Sequence, residues 1–269
     1  MERTYDLVFS LGAACACTEC LRGAGLQFSS FPFDWLFGST LPRRTDILVD
    51  GCDSWLRLEE LEHVFSATVI RTEAYRNRAT DITFNHDFPA GVPLEESIVG
   101  VREKYDRRFA RLRGLIARGG HVLAVYVTPP PKGVPPTADE AAYCRRRLSE
   151  RFPGTAFDVL VLRPGESAAP QVERPSEGVT FAAFDYRSRT DTTGANPVDR
   201  DRVIGFLKDL GLSARDYRSA AERRRHRAAQ RAKGYRRFGA TNVFGYLWTK
   251  WQYKLYAHLL KRLGRKGLA

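Results

Sequence analysis

Three cysteines fall within six positions, Cys15, Cys17 and Cys20 in "SLGAACACTECLR" (residues 10–22), in a chain that has five in all. They admit three readings: a metal site, a disulfide framework, or one reactive thiol with two packing neighbours. A structural zinc needs four ligands converging tetrahedrally, and at about 100° per residue positions 15, 17 and 20 of one helix point apart. No second Cys or His pair at ligand spacing answers them, so no metal is expected. An odd cysteine count, with Cys52 and Cys144 standing alone, argues against a disulfide scaffold and for reduced thiols in the cytoplasm.

Cys15 differs from the other two in its place. It opens a helix, where unpaired N–H groups and the positive end of the macrodipole favour a thiolate and lower the thiol pKa. The same N–H groups would hold the oxyanion formed when the thiol attacks a carbonyl, with Gly12 allowing close approach. Plain packing of three small apolar side chains against a sheet is the competing reading. A nucleophile also needs a base. His226 lies in an arginine run, His258 in a basic tail, and His63 and His121 border core elements. His86, in "NHDFP", falls at a strand-to-turn junction beside an acid, where a base is often held. Side chains adjacent in extended chain diverge, so Asp34 in "PFDW", rather than Asp87, is the expected partner of the imidazole. Ser10, Gly12, Trp35 and Asp87 are expected to border the substrate.

The elements that must position these residues follow from hydrophobic spacing. "YDLVFS" (5–10) reads as a buried strand, Leu11 and Gly12 turn the chain, and 13–22 continue as a helix. Helical spacing is read over 41–62, a strand over 81–89 closed by Pro89, and a long amphipathic helix over 94–118. Strands at 121–127, 156–162 and 178–184 flank a helix at 138–151, with loops at 164–177 and 186–198. Strands alternating with helices predict an α/β layered domain, partly parallel, over 1–198. Residues 199–269 read as a basic, aromatic-rich helical region.

"YDLVFSLGAAC…CLRGAGL", "SSFPFDW", "FNHDFP" and "VREKYDRRFARL" together resemble the papain-like cysteine peptidase family known as domain of unknown function 1796, over about residues 5–127. The resemblance implies a papain-like thiol-enzyme fold, with Cys15 of the S-L-G-x-x-C motif as nucleophile and His86 of the H-D-F motif as base. The first motif is also similar to that of papain-fold acyltransferases of capsule biosynthesis that bind coenzyme A. Ala14 and Ala16 stand where both families tend to carry polar residues, so either an oxyanion rests here on backbone donors or activity is lost. The shared chemistry is a thioester acyl-enzyme, whose hydrolysis makes a peptidase or amidase and whose transfer to a sugar or amine makes an acyltransferase. A catalytically inactive binding protein docked by its tail is the third reading. The expected substrate is a peptide, amide or acyl carrier, with no bound cofactor unless a coenzyme A thioester is the co-substrate. No Walker loop or dinucleotide fingerprint points to other chemistry.

The net charge of +12 is concentrated in the tail. Residues 200–269 carry 19 Lys+Arg against 4 Asp+Glu, a net of +15, which leaves −3 for residues 1–199. On a helical projection of 244–263, Phe244, Leu247, Trp248, Trp251, Leu255 and Leu259 share one face beside Lys250, Lys254 and Lys261. With the arginines of 223–237 this predicts peripheral docking of residues 223–263 on an anionic membrane at its inner face. Packing of that face on the body is the plain alternative. Nucleic acid is disfavoured, because the aromatics sit among leucines rather than along a polar groove. The start of the chain reads as neither a signal peptide nor a membrane span.

Overall fold

Arg3–Tyr5 (β1) and Leu7–Gly12 (β2) begin the chain, and β2 is buried along its whole length. Its side chains alternate between two cores, as the pleat requires. Leu7, Phe9 and Leu11 enter one hydrophobic cluster, while Val8, like Tyr5 of β1, enters another. The computed structural model describes residues 3–12, 14–67, 70–130, 133–189 and 197–237, with backbone only for 230–237.

After β2 come α1 (Cys15–Gly23), β3 (Leu36–Gly38) and α2 (Leu41–Asp50). A three-residue 3-10 turn (Leu58–Glu60) leads into β4 (Leu61–Ala67), β5 (Thr72–Asn77) and β6 (Ile82–Pro89). Then follow α3 (Leu94–Ile116), β7 (Gly120–Val127), α4 (Ala138–Arg151), β8 (Thr155–Pro164), β9 (Gln171–Ser176) and β10 (Val179–Phe184). The last elements are α5 (Arg200–Asp209), β11 (Leu212–Ala214) and α6 (Ala220–Arg237).

The central sheet has the order β2-β7-β8-β10-β9, parallel except for β9 at its edge. A second, antiparallel sheet has the order β3-β6-β5-β4, and β1 pairs with β11 in a small parallel ladder. On one face of the central sheet α1 and α5 bury Cys17, Cys20, Leu21, Val203, Phe206 and Leu207. On the other, α2, α3 and α4 contribute Ile47, Leu48, Tyr105, Leu112, Cys144 and Leu148 to a core shared with the antiparallel sheet through Phe84 and Phe88. The mixed α/β class, the partly parallel sheet and the strand–turn–helix bearing Cys15 are as the sequence predicts.

Four expectations are corrected. The helix read over 41–62 stops at Asp50, because Gly51 takes φ 86° and accepts no further turn. Its remainder is a turn, the 3-10 turn and the first two residues of β4; Trp55 and Leu56 reach the core from the turn, which is why their spacing imitates a helix. The loop at 164–177 contains β9. The 199-onward stretch is not wholly helical: β11 interrupts it, and the first compact unit extends over Met1–Tyr217 rather than ending at 198. The boundary moves because Val203, Phe206 and Leu207 complete a core and β11 supplies the partner of β1.

The second unit, Arg218–Ala269, contains α6. Ser219 and Glu222 form a reciprocal cap at its start, and Arg224, Arg225 and Arg227 are exposed. The apolar face read over 244–263 lies outside the described residues. No helix among the described residues is long and apolar enough to cross a membrane.

Candidate active site

The carboxyl end of β2 is bent by a register shift between Ser10 and Gly12, and Gly12 lies opposite Tyr126 of β7. The Gly12 amide donates to the Ser10 hydroxyl at 3.0 Å. Gly12 takes φ 110°, and Ala14 takes φ 145° with ψ 174°, a region that is almost exclusively glycine's. Strain of roughly 1–3 kcal/mol is thus held at the residue before Cys15. It is held because Arg44 fixes the strand end from beneath. This fully buried guanidinium donates to the carbonyls of Leu11 (3.1 Å), Leu36 (3.0 Å) and Gly38 (2.7 Å). Any Cβ at Gly12 would overlap it.

Cys15 is half-buried at the first position of α1. The charges that act on it are Glu19, one turn along the helix, and Arg200 at the start of α5, which pair with each other at 2.9 Å. Burial and Glu19 push the thiol pKa up, against the opposing pull of Arg200 and of the Cys15 and Ala16 N–H groups. The expectation of a lowered pKa is therefore corrected: the helix terminus acts as anticipated, but desolvation outweighs it. The resting group is a thiol. Its two neighbours in sequence serve packing. Cys17 donates to the Val125 carbonyl at 3.4 Å, Cys20 is fully buried, and all five thiols are free.

His86 lies within β6 rather than at its end, and its ring is exposed. It touches the rings of Trp35 at 6.3 Å and Phe37 at 6.4 Å between centroids. Among the described residues it has no hydrogen-bond partner, and none joins it to Cys15. Asp34 does not orient it. That carboxylate is fully buried and accepts from Gln27 at 2.9 and 3.0 Å, from the Phe31 amide at 2.9 Å and from Arg22 at 3.2 Å. Burial raises its pKa, against those donors. It closes the "SSFPFDW" loop as a polar knot. Asp87 is likewise occupied, by Lys104 and by the Tyr105 hydroxyl at 2.9 Å, with its side chain 4% exposed. Ser10 is buried and serves the turn. Of the residues expected to border a substrate, Gly12 stays at the turn, and Trp35 stays half-buried beside His86 with the Arg22 guanidinium 5.6 Å from its ring centroid.

Sequence reasoning missed Glu19, Arg200 and Arg44. The i,i+4 spacing from Cys15 marks Glu19 as a neighbour on one helix face. Arg200 and Arg44 carry no local signal, since their roles come from packing between distant elements.

Iodoacetamide is expected to label Cys15 and Cys52 in the native protein. Cys17, Cys20 and Cys144, at most 1% exposed, should react only after unfolding. Because the thiolate reacts and the Cys15 pKa is raised, its labelling rate should still be climbing above the ordinary thiol pKa. Peptide mass spectrometry across a pH series reads both; a rate saturating in mild acid contradicts the buried-thiol picture.

A curated relative, "Uncharacterized protein R408" of Acanthamoeba polyphaga mimivirus, is 32% identical over 135 residues, covering 44% of this chain and 60% of the relative. The match thus spans less than two thirds of that protein. No solved structure matches the chain. Residues 6–127, which run from the strand that leads to Cys15 through His86 to the end of β7, match the model of the family described as "Putative papain-like cysteine peptidase (DUF1796)".

Proposed function

We propose that the protein is a thiol-dependent peptidase or amidase in which Cys15 is the nucleophile and His86 the base. The observation that carries this reading is the strained turn, Gly12 at φ 110° and Ala14 at φ 145°, that delivers Cys15 to the first position of α1. A sharp strand-to-helix turn presents a nucleophile with helix N–H groups around it. Because burial keeps the thiol protonated, attack needs a base that takes the proton as the bond forms. His63 is held by Glu73 at 2.8 Å and His121 by Asp158 at 3.2 Å. His86 is the histidine of the first unit without such a partner among the described residues.

In the proposed cycle the Cys15 sulfur bonds the acyl carbon as its proton passes to His86. The imidazolium returns that proton to the leaving amine as the C–N bond breaks, and water hydrolyses the thioester. Substrate binding must bring thiol and imidazole together, directly or through one water, as resting enzymes often leave such contacts loose. Transfer of the acyl group to a sugar or amine acceptor, with a coenzyme A thioester as donor, is the same chemistry with another acceptor.

Cys15→Ser and His86→Ala are each expected to lower turnover at least 100-fold while the unfolding midpoint moves little, since Cys15 is half-buried and His86 exposed. Incubation with an acyl-coenzyme A and with peptide amides, followed by mass spectrometry of Cys15, separates transfer from hydrolysis. Retained turnover in Cys15→Ser removes the nucleophile from the reading.

A further inference from the structure

A cavity of about 410 Å³ opens beside the carboxyl end of β7, the end at which open parallel sheets place their ligands. Phe37, Leu41, Tyr126, Pro129, Val134 and Pro136 make its walls largely apolar. Two of these tie it to the site described above. Tyr126 lies opposite Gly12 in the β2–β7 ladder, and the ring of Phe37 also contacts His86. The cavity thus adjoins the turn and the proposed base through these two side chains, although none of Gly12, Cys15 and His86 lines it. Its volume falls within the roughly 300–1,000 Å³ of small-molecule sites. The prolines restrict the backbone of one wall, so little ordering is needed on binding.

Polar groups at the rim narrow the chemistry of the occupant. Asp81 is paired with Arg76 at 2.6 Å, and the Glu140 carboxylate accepts from the Thr137 amide at 2.8 Å as part of the cap of α4. Two engaged carboxylates neither call for a cation nor welcome an anion. Ser39 is different. Its hydroxyl is buried in the cavity wall with no hydrogen-bond partner among the described residues, and its backbone is held at φ 62°. A buried hydroxyl left unpaired is costly, and a ligand oxygen or N–H entering the cavity would satisfy it.

We propose that this cavity takes a neutral apolar acyl or aryl group of the substrate, with one polar atom of that group bonded to Ser39. The inference rests on the thiol reading and names its substrate class: amides or thioesters of medium-chain or aromatic acids, in preference to acetyl derivatives.

The test uses the full-length Cys15→Ala protein, which binds without turnover. Octanamide and acetamide are titrated by calorimetry. Octanamide is expected to bind at least tenfold more tightly. Val134→Trp, at a position 84% exposed, should obstruct the cavity without threatening the fold and lower octanamide affinity at least tenfold. Ser39→Ala should weaken it about threefold to tenfold, the worth of one hydrogen bond. Equal affinity for both amides, no measurable binding, or indifference to Val134→Trp overturns the proposal. The thiol reading fails separately. Octanamide binding that Val134→Trp abolishes, alongside full turnover in Cys15→Ser, sinks the nucleophile and leaves the cavity. Acylation of Cys15 that is equally fast from acetyl and octanoyl thioesters does the reverse.

Discussion

Arg44→Met is expected to lower the unfolding free energy by about 3–5 kcal/mol, read as an earlier urea midpoint at unchanged slope. Methionine keeps much of the side-chain volume, so the loss is chiefly polar. The carbonyls of Leu11, Leu36 and Gly38 lose their donor, and each buried orphan costs roughly 1–3 kcal/mol. The guanidinium also stands 5.6 Å from the Phe33 ring centroid. Part of the loss is offset, because the cation itself is expensive to bury and no carboxylate among the described residues neutralises it. Burial lowers its pKa to about 10, so it stays charged at neutral pH and is held by carbonyl dipoles and the face of Phe33. A variant as stable as the parent would mean that these carbonyls find water instead.

Gly12→Ala should cost about 3 kcal/mol and abolish turnover, for two separable reasons. Alanine is strained at φ 110°, and its methyl group falls where the Arg44 guanidinium lies. Only the second reason depends on Arg44. In the Arg44→Met background the cost of Gly12→Ala should therefore fall to about 1–2 kcal/mol, the strain alone. The two substitutions must then fail to add, and a double-mutant cycle measures that coupling. Strict additivity would show that guanidinium and turn do not bear on each other.

What the sequence made legible was local. The run Leu7-Val8-Phe9 and the period of Ile98, Val101, Tyr105, Leu112 and Ile116 each express one dominant force, burial of a face, and they mark β2 and α3. The same rule failed at 52–62, where Trp55 and Leu56 enter the core from the turn ahead of a 3-10 turn rather than from a helix, so that burial was legible and the element was not. It failed at β9 for a different reason: "QVERPS" is exposed throughout and is held by its ladder to β10. At the site, Cys15 and its helix terminus could be read from order alone. The sign of its pKa shift could not, because desolvation depends on what α5 brings against α1. Asp34 looked free to orient a histidine because Gln27, seven residues earlier, gives no hint that its amide turns inward to take both carboxylate oxygens.

The pairing of β1 with β11 joins residues 209 positions apart, through the Thr4–Ser213 hydroxyls and the register Arg3↔Leu212. The strand that leads to the nucleophile waits in a similar way, since its neighbour β7 lies 115 residues on at the contact between Asp6, just before β2, and His121. On a ribosome that adds roughly 5–20 residues each second, β2 spends several seconds without a strand to pair with. The β4–β5–β6 meander, closed by short local turns, has by then emerged entire. Assembly should thus begin in the middle of the chain and close on its amino end last, so that the strained turn at Ala14 is imposed only after the body that holds it exists.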